Sequence, residues 1–202
     1  MEQIRFASGN HLCVHFPTLL PEVPQSTIDN YLLSHGYKIR NVDLVMLAYH
    51  QVGKKYSRGK SSISSSPRSF DCSSLTQWLY GQKGVYIPRI SIDQRKYGKS
   101  VLLNEMKPGD LVFTTGHVNY YWPNEISDGV GHVGIFTGDS IVHAANKIRG
   151  VVEDRIDDFF KNDFRGVVRI HDNIVESTTI ILPKKSDVKY DDHLRWRILQ
   201  TL

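Results

Sequence analysis

Residues 69–84 read SFDCSSLTQWLYGQKG, and the meaning of the chain turns on the cysteine at position 72. Leu75, Trp78 and Leu79 recur at helical spacing and either Gly81 or Gly84 stops the pattern, so the stretch is expected to be an amphipathic helix. With Asp71 as its N-cap, Cys72 falls in the first turn, where unpaired N–H groups and the helix dipole stabilise a thiolate. Position alone leaves two readings open: a nucleophile, or a small buried hydrophobe, the common fate of a free cysteine.

Composition narrows the surroundings. The 202 residues, 40% hydrophobic and 23% charged, suffice for one globular domain with room for a small appendage. The net charge of +4 comes from scattered lysines and arginines, a weak pull toward anionic partners. No nucleic-acid motif accompanies it, and no nucleic acid is expected as a partner. Cys13 and Cys72 are too few for a disulfide framework, although one bridge between them stays open. Neither C-x-x-C nor Cys/His ligand spacing is present, so neither metal nor cofactor is expected. No run approaches the ~20 apolar residues of a membrane span. The opening MEQIRFASGNHLCVHF lacks the basic start and apolar run of a signal peptide, so the expectation is a cytoplasmic chain, or a secreted one whose export signal has been removed.

Upstream of the decisive stretch, residues 1–40 read as an irregular lead-in punctuated by prolines, with a short helix over STIDNYLLSHG. Val42, Val45, Met46 and Tyr49 recur at i, i+3, i+4 and i+7, which predicts a helix over 42–52 with Asn41 capping and Gly53 stopping it. The serine-rich loop GKKYSRGKSSISSSPRS then delivers the chain to Asp71. Downstream, RISIDQRKYG reads as a short helix and MKPGDLVF as a turn leading into a strand at Leu111–Phe113. After a long loop, TTGHVNYYWPNEISDGVG, the run HVGIFTGDSIVHA reads as a hairpin turning at Gly138-Asp139. GVVEDRI and FRGVVRI supply further strands. Residues 171–202 form an extension of unassigned role.

A nucleophilic thiol needs a base, and nine histidines compete for the part. With the turn at Gly138-Asp139, Phe136 faces Ile141 and Gly134 faces His143, so His132 becomes the diagonal neighbour of His143 on one sheet face. One imidazole can then take the thiol proton while the other fixes its tautomer. The plainer alternatives are two half-buried polar residues or the start of a metal site, for which the hairpin supplies no third ligand. A one-residue slip would put the two rings on opposite faces.

The ordered set FDCSSLTQWLY, IPRIS, MKPGDLVF, GHVGIFTGD and IVHA resembles the NlpC/P60 family of papain-like cysteine peptidases, over about residues 42–170. The resemblance implies an α+β fold with helices packed on one face of a five- or six-stranded antiparallel sheet. It divides the chain into a lead-in (1–40), a catalytic domain (41–170) and a C-terminal extension (171–202). It implies Cys72 as nucleophile, His132 as base and His143 as the residue orienting it, with His117 a decoy outside the H-V-G-I context. Tyr56, in GKKY, would help polarise the reacting carbonyl, or else pack as an ordinary helix-end aromatic. Asp71 and Ser73 would recognise the amino end of the substrate, unless Asp71 serves only as the helix cap. Ser74 stands where the family usually has glycine and would narrow the groove. Arg89, at the groove rim, suits a substrate carboxylate or a surface ion pair. Trp122, with Tyr120 and Tyr121, would wall the groove or cover the core edge. The implied activity is hydrolysis of peptidoglycan stem peptides at the D-γ-glutamyl–diamino acid (meso-diaminopimelate) bond, with wall fragments or free stem peptides as partners. The alternatives are a CHAP-like N-acetylmuramoyl-L-alanine amidase and a non-catalytic wall-binding module on the same scaffold.

Overall fold

The computed structural model describes residues 7–8, 10–58, 67–119 and 129–202. They fall into two compact units, one of residues 44–79 and 87–172, the other of residues up to 43 with 80–86 and 173–202.

The first unit is built on a six-stranded antiparallel sheet, the larger of the two expected sizes. Its spatial order is Gly150–Arg155, Ser140–Asn146, His132–Phe136, Leu111–Thr114, Phe164–Arg169 and Lys99–Val101. Leu111–Thr114 is buried throughout, as an inner strand covered on both faces requires. The hairpin takes the expected register: Phe136 lies opposite Ile141, the Thr137 N–H donates to Ser140 O at 3.0 Å, and Gly138 turns the chain at φ +124°. Helices Ser91–Tyr97 and Ile156–Phe159 pack on the sheet, the latter placing Phe159 in a core with Val112, Phe136, Ile141 and Val167. One expected helix differs. It spans only Leu44–Tyr49, and it buries Leu44 and Ala48 while Met46 is 49% exposed, so the apolar face is rotated from the one expected. Turn residues Gln51 and Val52 follow, and Gly53 at φ +87° ends the segment.

The second unit joins the expected lead-in to the expected extension. Strand Thr178–Ile181, the TTIIL run, lies between His11–Val14 and Lys38–Arg40 and pairs antiparallel with both, with Ala7–Ser8 outermost. Helices Phe16–Leu19, Gln25–Ser34 and Asp191–Leu199 accompany this sheet. Their buried residues, among them Ile28, Leu32, Leu194 and Ile198, share one core with Leu12, Val14 and Ile180. Cys13 is buried in this unit, and both cysteines are free thiols. No helix among the described residues is long and apolar enough to cross a membrane.

The helix of the decisive stretch runs Cys72–Lys83. Gly84, not Gly81, ends it. The Val85 N–H reaches back to Tyr80 O at 2.8 Å and the Gly84 N–H to Gly81 O at 3.1 Å, the double closure of a Schellman end with glycine at φ +95°. Lys83 in the last turn is fully buried, and its ammonium donates to Val42 O and Ser177 O, each at 2.7 Å. Burial pulls its pKa down, but the carbonyls suit only a donor. Lys83→Met leaves those buried acceptors unpaired and should cost about 3 kcal/mol of stability in urea unfolding. A loss below ~1 kcal/mol would show that the carbonyls find other donors.

Candidate active site

The first turn of the Cys72–Lys83 helix fixes the sulfur. Asp71 Oδ1 accepts the Ser74 N–H at 2.8 Å while Ser74 Oγ accepts the Asp71 N–H at 2.9 Å, a reciprocal capping box. Ser74 therefore turns back into the cap and is buried at 3% exposure, which corrects the expectation that it narrows the groove. The other Asp71 oxygen takes Arg89 Nη2 at 2.6 Å, and Arg89 Nη1 donates to Ser73 Oγ at 2.9 Å. One guanidinium thus ties together both residues that flank the cysteine. Strand Lys55–Tyr56 runs parallel to Ser69–Phe70, with Tyr56 opposite Phe70 and so two residues from Cys72 in register.

The histidines meet from adjacent strands. His132 Nε2 and His143 Nδ1 are 2.8 Å apart, with the rings nearly perpendicular. Phe159 packs edge-on to His143 and tilted against His132, at centroid distances of 4.9 and 5.6 Å. Behind His143, Nε2 donates to Asp154 Oδ2 at 2.9 Å, and Arg149 grips that carboxylate with both of its terminal nitrogens. Neither Asp154 nor Arg149 was among the expected site residues. A plain continuation of the Gly150–Asn146 pairing would set Asp154 opposite Val142, on the far face. A bulge between Gly150 and Val151, with Gly150 at φ +71°, shifts the pairing so that Val152 faces His143 and Asp154 follows on the same face. The legible signal was that glycine, placed just where the second hairpin begins.

Tyr56, Asp71, Cys72, Ser73, Arg89 and His132 all line one cleft of about 400 Å³, together with Arg58 and His117. His143 stands behind His132 and is 5% exposed. His117 reaches the cleft but is exposed, whereas His132 is the cleft imidazole hydrogen-bonded to His143. Trp122, Tyr120 and Tyr121 lie outside the described residues, as does most of the serine run.

The resting protonation state runs against one expectation. The Val133 N–H on the adjacent strand and, at the helix end, the Ser73 N–H pull the sulfur's pKa down. Burial and then the neighbouring Asp71 carboxylate outweigh them and push the Cys72 thiol up to about 11. Burial, with His143 alongside, pushes His132 down to about 3, while His143 is lowered by burial against the upward pull of Asp154. The ligand-free site therefore holds a neutral thiol beside neutral imidazoles. Tyr56 is likewise kept protonated, its pKa raised by burial and by Cys72 and Asp71. Such a site moves its proton during attack rather than before it.

The family model described as NlpC/P60 matches residues 53–169, more than half of the chain. The chain belongs to the NlpC/P60 family. Among curated proteins it is similar to a gamma-DL-glutamyl hydrolase of Bacillus subtilis, 29% identical over 150 residues, or 73% of this chain and 32% of that protein. It is 36% identical over 118 residues to the peptidoglycan DL-endopeptidase CwlO of Bacillus licheniformis, covering 57% of this chain and 24% of that one. The chain thus spans about a third or less of the length of these relatives. A solved NlpC/P60 family protein from Bacillus cereus shares the fold at a TM-score of 0.54, with 24% identity, covering 65% of this chain and 40% of that chain.

A thiol this high in pKa makes a direct prediction for reactivity. Alkylation of Cys72 by iodoacetamide should accelerate about tenfold per pH unit from pH 7 to 9, because only the thiolate reacts. A plateau across that range would mean that a thiolate–imidazolium pair already exists in the free protein.

Proposed function

We propose that this chain is a cysteine endopeptidase that hydrolyses bacterial peptidoglycan stem peptides at the D-γ-glutamyl–diamino acid bond. The observation that carries the reading is the convergence of Cys72 and His132 on one cleft, with His143 hydrogen-bonded directly behind His132. The names of the relatives, a γ-DL-glutamyl hydrolase and a DL-endopeptidase, support the bond and the polymer.

In this mechanism Cys72 Sγ attacks the carbonyl carbon as His132 takes the thiol proton. The Cys72 N–H, free at the first helical position, and the Tyr56 hydroxyl donate to the developing oxyanion. Collapse of the tetrahedral intermediate expels the amine, protonated by His132, and leaves a thioester. Water, deprotonated by His132, then releases the acid and restores the thiol. Asp71, Ser73 and Arg89 hold the substrate strand beside the nucleophile. Arg89 and Arg58 give that part of the cleft an excess of cation, which suits the free α-carboxylate of a γ-linked glutamate.

Mass spectrometry of L-Ala-γ-D-Glu-meso-diaminopimelate and of intact muropeptides, with wild type and Cys72→Ala, tests the reading. Release of the diamino acid by wild type alone is the expected result. Cleavage only at the sugar–peptide junction would replace it with the amidase, and no cleavage of either would favour the binding module. Tyr56→Phe should lower kcat by about 10²–10³-fold with KM little changed, the usual cost of one oxyanion donor.

A further inference from the structure

A carboxylate at the end of a chain of imidazoles dictates where every proton in that chain sits, because an ionised carboxylate only accepts. Asp154 Oδ2 lies 2.9 Å from His143 Nε2, so that nitrogen carries the hydrogen. In the neutral ring His143 Nδ1 is then a lone pair, and it lies 2.8 Å from His132 Nε2, which must be the donor. What remains on His132 is an unprotonated Nδ1, the only nitrogen left for a thiol proton.

We propose that Asp154, clamped by Arg149, is the positioning residue that sets the tautomers of His143 and His132 and so makes His132 a base. The effect on turnover rests on the endopeptidase reading; the tautomers do not. Without the carboxylate, His143 could turn an Nδ1–H toward His132, and the relay would reverse to place an N–H against the sulfur.

Arg149 is the second half of the device. Its Nη1 donates to Asp154 Oδ2 at 2.9 Å while Nη2 binds Oδ1, so the carboxylate is oriented in two places at once. Asp154 is held below the usual carboxylate range, chiefly by Arg149 and further by His143. The remaining charges nearby come from the segment that follows the strand, Asp158 and Lys161, which pair with each other at 2.7 Å. Glu153, the residue just before Asp154, accepts from Ser140 instead.

The test reads the ring nitrogens directly. In ¹⁵N-edited NMR of the ligand-free full chain, both His132 and His143 should be Nε2–H tautomers. In Asp154→Asn the amide oxygen is drawn to Arg149 and the NH₂ group faces His143, so His132 should shift toward Nδ1–H. On the stem peptide the same variant should lose about 10²–10⁴-fold in kcat with KM within about twofold, a split that a general loss of folding would not give. Arg149→Gln, which frees Asp154 to protonate at higher pH, should move the acid limb of kcat/KM upward. An Nδ1–H on His143 in the wild type overturns the proposal. So does an Asp154→Asn protein that keeps both tautomers and the wild-type rate. If the wild type cuts no stem peptide, the endopeptidase reading fails while the nitrogen signals still decide the relay.

Discussion

Position 134 carries no side chain, and the geometry of the site depends on that vacancy. A Cβ there would lie 2.4 Å from Ile141 Cγ2 and 3.2 Å from both His143 Cβ and the Phe159 ring. Those last two groups are the parts that bring the imidazoles together: His143 must rise beside the gap to reach His132, and Phe159 must close over both rings. The sheet thus gives up a side chain on a buried strand, a local weakness, to make room for a ring-to-ring contact. Behind that contact, the bulge at Gly150 and the Arg149 clamp bring the Asp154 carboxylate to His143 Nε2, while burial, against the pull of that carboxylate, keeps the two rings neutral.

The sulfur is held by a different means. A capping box starts its helix and a Schellman closure ends it, so Cys72 is fixed by the backbone and by Asp71 rather than by the histidines. Asp71 carries two duties at once, satisfying the helix N–H of Ser74 and pairing with Arg89. Its negative charge also opposes ionisation of the thiol next door. Good capping and a low thiol pKa are therefore in conflict at this position, and the cap prevails in the free protein.

Much of this was legible in the sequence because it is local. The hairpin register follows from one Gly-Asp turn and the two-residue period of a strand, which together set His132 and His143 on one sheet face. The helix and its Asp71 cap follow from spacing alone. The misses share a cause in non-local or shifted pairing. Asp154 was hidden by a bulge that moves a strand by one residue. The apolar face of Leu44–Tyr49 was misread because Leu44 and Ala48 cover it while Met46 does not. The shared core of the two chain ends rests on pairings such as Leu12 with Ile180, separated by most of the sequence, which no window of residues reveals.

The strand Thr178–Ile181 has a further consequence for how the chain is made. It is an inner strand, and both of its neighbours lie far before it in the chain. Until translation passes residue 181, His11–Val14 and Lys38–Arg40 wait with open edges, the condition that favours pairing with the wrong chain. The six-stranded sheet lies wholly within residues 99–169, so its last member, Phe164–Arg169, is made before Thr178–Ile181. Birth order therefore favours the six-stranded sheet, which can close while the other sheet still lacks Thr178–Ile181.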